Sequence, residues 1–380
     1  FRCCITSCTA SGTTAPAVNP AKPDPFPFAH AGGAGWRDCA EACAERLGAI
    51  GAGLGFVYFT EPLLPDAAAI VALLRSRSGV RDWIGTVGIG VLATGTEYLD
   101  EPALATMVAD LPADAYQVFS GRSAPAPDRE AYFGVIHADP STPDVAGLVA
   151  DMSTKVASGY LVGGLSSARG ATVQVANDVL SGGLSGALLA SSVGVRTRLT
   201  QGYAALPGRH RVTAGEANVI ATLDGRPALE VMKEAIGEVL ARDLRRAAQF
   251  IQVALPVAGS DTGDYMVRNL VGIDPRNGLI AIGDVLEPGA ELIFCKRDAA
   301  SARSDLERMA SALKADVPAP RGALYFSCIG RGEHMFGRRG AELGIVREAL
   351  GGVPLVGFFC SGEISHDRLY GYTGVLTLFS

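Results

Sequence analysis

The chain has 380 residues, 48% of them hydrophobic and 19% charged, with a formal net charge of −6. Such a length exceeds one ordinary domain, and the composition is that of a globular chain rather than a disordered one. No basic stripe offsets the negative charge, which argues against a nucleic-acid partner, and no apolar run reaches the roughly 20 residues of a membrane span.

The first 35 residues stand apart. Phe1–His30 is rich in Cys, Thr, Ser, Ala and Pro and lacks the charged start and apolar core of a secretory signal, so residues 1–35 are expected to be a disordered or non-native tail. Trp36–Leu47 then reads as a helix with Cys39, Ala42, Cys43 and Leu47 on one face. Leu54–Thr60 reads as a strand, and Asp66 precedes a helix over 67–75. Trp83–Val91 and Ala103–Leu111 are expected as neighbouring antiparallel strands. Tyr116–Gly121, Ala131–His137, Tyr160–Leu165, Thr172–Ala176, Gly186–Ser192 and Arg196–Gln201 follow as short strands, interrupted by a helix over Asp144–Lys155.

The turn Asp224-Gly225-Arg226-Pro227 divides the chain into lobes 36–226 and 227–380, and Pro227 opens a helix over Ala228–Val239. Val267–Ile273 and Leu279–Ile282 pair around Asp274-Pro275-Arg276-Asn277-Gly278, a strong hairpin signal. Leu292–Lys296 is a strand and Ala299–Lys314 an amphipathic helix. Strands mixed with single helices predict an α+β fold, with mixed or mostly antiparallel sheets and helices packed on them.

The C-terminal segment has a faint copy near the start. Gly322–Ser327, a helical stretch, Pro354-Leu-Val-Gly357 through Gly362-Glu363-Ile364 and Gly374–Phe379 parallel Gly55–Thr60, a helix, Trp83-Ile-Gly85 through Gly90 and Ala103–Val108. The paired glycines are five apart in both copies (90 − 85 and 362 − 357). The first strand starts 30 residues before the first glycine in one copy (85 − 55) and 35 in the other (357 − 322). Two pseudo-symmetric lobes about a twofold axis are therefore expected.

Several of these residues carry chemistry. Arg331, between Gly330 and Gly332, offers five donors suited to a carboxylate, and it either contacts a ligand or pairs with Glu363 to close the lobe. Alternation along the strand puts Phe359 and Ser361 on one face and Phe358 and Cys360 on the other, which favours core packing for Phe358. Cys328, Arg331, Gly332, Phe336, Phe359, Ser361 and Glu363 are the candidate ligand-binding residues. Cys328, His334 and Glu363 also form a weak nucleophile–base–orienter set, the basis of a thiol-hydrolase alternative. No His-x-x-x-His pair and no Cys-x-x-Cys-His motif implies a metal or cofactor. The cysteines (Cys3, Cys4, Cys8, Cys39, Cys43, Cys295, Cys328, Cys360) have no framework spacing, so a cytoplasmic, reducing setting is expected.

The run Cys328-Ile-Gly-Arg-Gly, Phe336-Gly337 and Pro354-Leu-Val-Gly-Phe-Phe-Cys-Ser-Gly-Glu-Ile364 resembles the C-terminal half of FIST domain proteins. Gly85 through Gly90-Val to Glu97, Gly163-Gly164-Leu-Ser-Ser and Gln201-Gly202 resemble the N-terminal half. The resemblance spans roughly Gly35 to Phe379 and is more specific in the C-terminal half. It implies a cytoplasmic sensory module that binds a small ligand; the residues themselves add that Arg331 and Glu363 suit the two charged ends of an amino acid or similar metabolite, and no catalysis is expected. It also raises a haem-based alternative with His334 or His366 as the iron ligand. No output domain is expected after Ser380, and signalling is expected to pass through a protein partner or self-association, with oligomeric state left open.

Overall fold

The computed structural model describes residues 24–257 and 265–380. The fold is α+β, with three six-stranded mixed sheets and a fourth, closed antiparallel one. The two matched copies are both present. In the first, Leu54–Thr60 runs parallel to Asp82–Gly88 and antiparallel to Ala103–Ala109. In the other, Gly322–Cys328 runs parallel to Leu355–Cys360 and antiparallel to Thr373–Phe379.

A third copy lies between them. Phe133–Ala138 is parallel to Tyr160–Leu165 and antiparallel to Leu184–Leu189, with the helix Val145–Ser153 as the crossover. Each unit is thus strand, helix, strand, hairpin, strand. Each unit also lends its hairpin to another. Gly90–Ala93 of the first unit pairs with the third unit's second strand, Leu92 opposite Gly357. Gln174–Ala176 of the second pairs with the first, Val175 opposite Gly85. Glu363–His366 of the third pairs with the second, Ile364 opposite Gly163. The exchange is cyclic and links three units, so the repeat extends beyond the two copies expected.

Gly85, Gly163 and Gly357 occupy one structural position. A Cβ there would lie 1.7 Å from the carbonyl oxygen of Val57, Ile136 or Tyr325 respectively, so only glycine fits between the two flanking strands. The next residues along the first strands, Tyr58, His137 and Phe326, meet at the centre. Their ring centroids are 5.5, 6.2 and 6.2 Å apart. Burial depresses His137 to about 3, so a neutral ring packs there, 3.2 Å from the Tyr58 hydroxyl.

The inner faces of the three sheets share one apolar core, while helices cover the outer faces. The remaining segment forms the closed barrel. Glu291–Arg297 pairs on one side with Tyr203–Ala205 and His210–Glu216 and on the other with Ile251–Pro256, which joins the ends of the sheet. The expected Leu279–Ile282 hairpin belongs to this barrel.

Two local expectations are corrected. Residues 24–35 are no tail: Phe28–Gly32 pairs with Ala103–Ala109, and Phe26 is buried against Phe379. Prolines concentrated upstream conceal a strand of five residues, while residues 1–23 lie outside the described residues. Trp83–Val91 is not one strand beside Ala103–Leu111. The chain leaves one sheet at Gly88 and enters another at Gly90, and Leu54–Thr60 lies between the supposed neighbours. The Gly88-Ile-Gly90 corner is tight, since a Cβ on Gly88 would sit 2.6 Å from the Gly90 carbonyl oxygen.

Hairpin exchange makes a prediction. A fragment of residues 24–226 leaves the Gly90–Ala93 and Thr96–Leu99 hairpin and the Val195–Gln201 strand without their sheet. Expressed alone, it is expected to lack a cooperative thermal transition by circular dichroism, and co-expression with residues 227–380 is expected to restore one.

Candidate functional site

The third unit's first strand ends at Cys328, and the chain enters a short helix, Gly332–Phe336. Gly332 has φ +51, and a Cβ on it would lie 3.0 Å from Phe359 Cζ. Both facts call for glycine at this bend. The tight turn drives Arg331 inward until it is fully buried.

Glu342, on the helix Ala341–Leu350, meets the guanidinium. Its carboxylate accepts from Arg331 Nε (2.7 Å), the Tyr325 hydroxyl (2.6 Å), Ser327 Oγ (3.0 and 3.1 Å) and the Gly332 backbone N–H (3.0 Å). Both ion partners are buried. Burial pulls against the arginine's charge, but Glu342, Tyr325 and Glu363 more than offset it and raise its pKa. Phe336 lies under the guanidinium, 5.2 Å from ring centroid to Cζ. The lobe-closing ion pair therefore exists, but Glu342 and not Glu363 is Arg331's partner.

Glu363 reaches the cluster from the third unit's hairpin. Its Oε2 accepts from the Thr373 N–H (3.0 Å) and hydroxyl (2.7 Å). Burial raises its pKa to about 8, against the pull of Thr373, Arg331 and Cys328. The Cys328 thiol is pushed up to about 12 by burial and by Glu363. Cys328 stands beside Cys360 in register, and both are free thiols. The first unit's Glu97 is also buried nearby, its Oε2 4.0 Å from where a Cβ on Gly332 would stand, and burial raises its pKa.

Arg331 Nη1, Arg331 Nη2 and Glu363 Oε1 find no hydrogen-bond partner in the protein, and neither does either carboxylate oxygen of the nearby Glu97. Buried polar atoms are nearly always paired, so the orphans of this cluster mark a place where another polar group belongs. Those on Arg331 and Glu363 comprise two guanidinium donors and one carboxyl oxygen.

The structure gathers Cys328, Arg331, Gly332, Phe336, Phe359 and Glu363, and leaves Ser361 outside. Ser361 is exposed at a turn, where its N–H bonds to the Leu165 carbonyl 3.1 Å away. The strand ends at Cys360, so strict alternation does not extend to Ser361. Phe358 stacks on Tyr58 in the central core, as alternation predicts. His334 is exposed on the short helix, and His366 bonds to Asp367 at 2.7 Å and packs edge-on against Tyr160. No group of three metal-ligating side chains is assembled among the described residues. Glu342 escapes sequence reasoning, although it lies on the apolar stripe of its helix with Ile345, Val346 and Leu350, where an acid needs a partner.

Glu363 carries a pH prediction. Its folded value, about 8, exceeds its ordinary 4.5. The fold therefore favours the neutral form, and this stabilisation is fully present below 4.5 and lost as the pH rises through 8. Each tenfold difference in proton affinity between the folded and unfolded chain is worth about 1.4 kcal/mol. Urea unfolding of the wild type is expected to show stability falling between pH 5 and pH 8, and Glu363→Gln is expected to flatten that slope. An equal slope in both proteins contradicts the assignment.

Comparison with known proteins places the chain in a family. The FIST N domain model matches residues 53–226 and the FIST C domain model residues 228–366. An uncharacterized protein of Mycobacterium tuberculosis is 31% identical over 368 residues, covering 90% of this chain and 96% of that protein. An uncharacterized protein of Mycobacterium bovis is 31% identical over 318 residues, covering 78% and 82%. Among the described residues no helix is long and apolar enough to cross a membrane. Matched from residue 53 to residue 366 by the two domain models, the chain belongs to the FIST family of sensory domains.

Proposed function

We propose that this protein senses a small carboxylate-bearing metabolite of the amino-acid type, bound at the Arg331–Glu363 cluster without chemical conversion. The observation that supports this reading above others is the fully buried guanidinium whose two terminal nitrogens have no partner, held in place by Glu342 through Nε alone. The ligand carboxylate lies on those nitrogens, and Glu363 Oε1 takes the amino end. Phe336 and Phe359 supply apolar walls beside Arg331 and Gly332.

Tyr372 carries the response outward. Its ring lies against Gly330, where a Cβ would be 3.0 Å away, and its hydroxyl donates to Asn269 of the barrel at 2.8 Å. A ligand that displaces Tyr372 thereby changes a contact between the three-unit core and the barrel, where a signalling partner can read it. The free, buried thiols suit a reducing, cytoplasmic setting. A Cys328 thiol raised to about 12 has little thiolate at neutral pH, which weighs against the hydrolase alternative.

A thermal-shift screen with the proteinogenic amino acids and small mono- and dicarboxylates tests the reading. A ligand present at 100 times its dissociation constant is expected to stabilise the fold by about 2.7 kcal/mol. A screen in which no carboxylate shifts the transition contradicts it.

A further inference from the structure

A cavity of about 410 Å³ opens between the end of the Val195–Gln201 strand, the start of the barrel strand Tyr265–Asp274 and the first turns of the helix Ala299–Asp316. Its volume falls in the range of small-molecule sites, and it lies where core, barrel and helix meet, a common location for them. Gly202 separates it from the Arg331 side: a Cβ on that residue would be 3.5 Å from Arg331 Nη1 and 2.9 Å from Met335 Cε.

The lining is polar and carries no net charge. Asp305 and Arg308 form an ion pair at the rim. Asp305 Oδ2 also accepts from the Thr200 hydroxyl and the Gln201 N–H, both at 2.8 Å, so this carboxylate is already neutralised. The Gln201 amide is held by its donation to the Tyr265 carbonyl at 2.6 Å, which turns its oxygen free to accept. Ser301 and Ser304 add hydroxyls and Tyr265 an aromatic ring. A charged ligand would find its countercharge already paired here. A molecule bearing many hydroxyls finds a planar carboxylate, a planar guanidinium, an amide and hydroxyls, with an aromatic face for its C–H surface.

We propose that this cavity binds a neutral polyhydroxylated molecule, a sugar or polyol, independently of the carboxylate site. Occupancy would clamp the helix and the barrel strand against the Val195–Gln201 strand, so it adds a second input at the junction between the core and the barrel.

The test uses the whole chain with D-glucose, D-ribose, trehalose and myo-inositol, read by isothermal titration and thermal shift. At least one is expected to bind. Ser304 is exposed, so Ser304→Trp is expected to fill the cavity, leave the unliganded transition unchanged and weaken that binding by tenfold or more, about 1.4 kcal/mol. Arg308→Ala is expected to weaken it as well, whereas Arg331→Lys is expected to leave it intact while weakening carboxylate binding at least about tenfold. Binding by none of the four, or sugar affinity untouched by both Ser304→Trp and Arg308→Ala, overturns the proposal. Sugar binding lost in Arg331→Lys alone also overturns it, by moving the sugar to the buried cluster. Because the carboxylate screen uses different probes and a different variant, either reading can fail without the other.

Discussion

Replacing Glu342 by glutamine is expected to lower the free energy of unfolding by about 3–5 kcal/mol, the cost of leaving a buried charge without its partner. Arg331 is fully buried and its only ion partner among the described residues is Glu342. The glutamine side chain keeps the shape but not the charge. It also turns an NH2 toward one part of a donor set made of Tyr325, Ser327, Arg331 Nε and the Gly332 N–H, where acceptors are needed. Desolvation then works on the guanidinium without the Glu342 charge that opposes it. Urea denaturation at pH 7 reads the loss. A change below about 1 kcal/mol, the size typical of an exposed ion pair, would show that water reaches the cluster.

The second large effect is steric. Gly357→Ala is expected to destabilise by about 3 kcal/mol or more, at the upper end of overpacking costs, and Gly85→Ala and Gly163→Ala to do the same. In each case the new methyl would lie 1.7 Å from a carbonyl oxygen on the neighbouring strand, and backbone cannot turn aside as a side chain can. Each glycine also stands opposite a residue of the exchanged hairpin, so the shift would loosen the joint between units. Gly163 adds a φ of +145, which other residues rarely adopt. Gly344 is the control: it lies inside a helix with nothing within 4 Å of its would-be Cβ. Gly344→Ala is expected to stabilise by about 0.5–1 kcal/mol. If the three buried glycines tolerate alanine as well as Gly344 does, the shared structural position has no steric meaning.

The repeat shows how far the sequence can be read. Gly85 and Gly357 stand out because each begins a pair of glycines five apart. The second unit has alanine at the matching place, Ala168, so the pair is broken and the motif does not reveal the unit. Its remaining signal is distance. Measured from the clashing carbonyl residue, the three glycines lie 28, 27 and 32 residues along (85 − 57, 163 − 136, 357 − 325), and the first two units agree better than the first and third. Hairpin exchange leaves no mark at all, because a strand's sequence records which faces it buries and not which unit supplies its neighbour.

At the site, Arg331, Phe336 and Glu363 are legible because a charge or an aromatic ring set among glycines is conspicuous. Glu342 is not, since an acid within a helix normally reads as its solvent face. Only its register with Ile345 and Leu350 marks it as buried. Ser361 is misplaced for a related reason: period-two alternation holds inside a strand, and this strand ends one residue earlier.

The claim at the centre of this account is that the unpaired nitrogens of Arg331 hold a ligand carboxylate. Arg331→Lys tests it most directly. Lysine keeps the positive charge opposite Glu342 but loses the planar fork that can hold Glu342 and a second carboxylate together. Isothermal titration of wild type and variant with the amino acids and small carboxylates is the measurement. The account predicts that wild type binds at least one of them, and that the folded variant binds it at least about tenfold more weakly, a loss of about 1.4 kcal/mol. Equal affinity in the two proteins, or no carboxylate bound by the wild type, would contradict it.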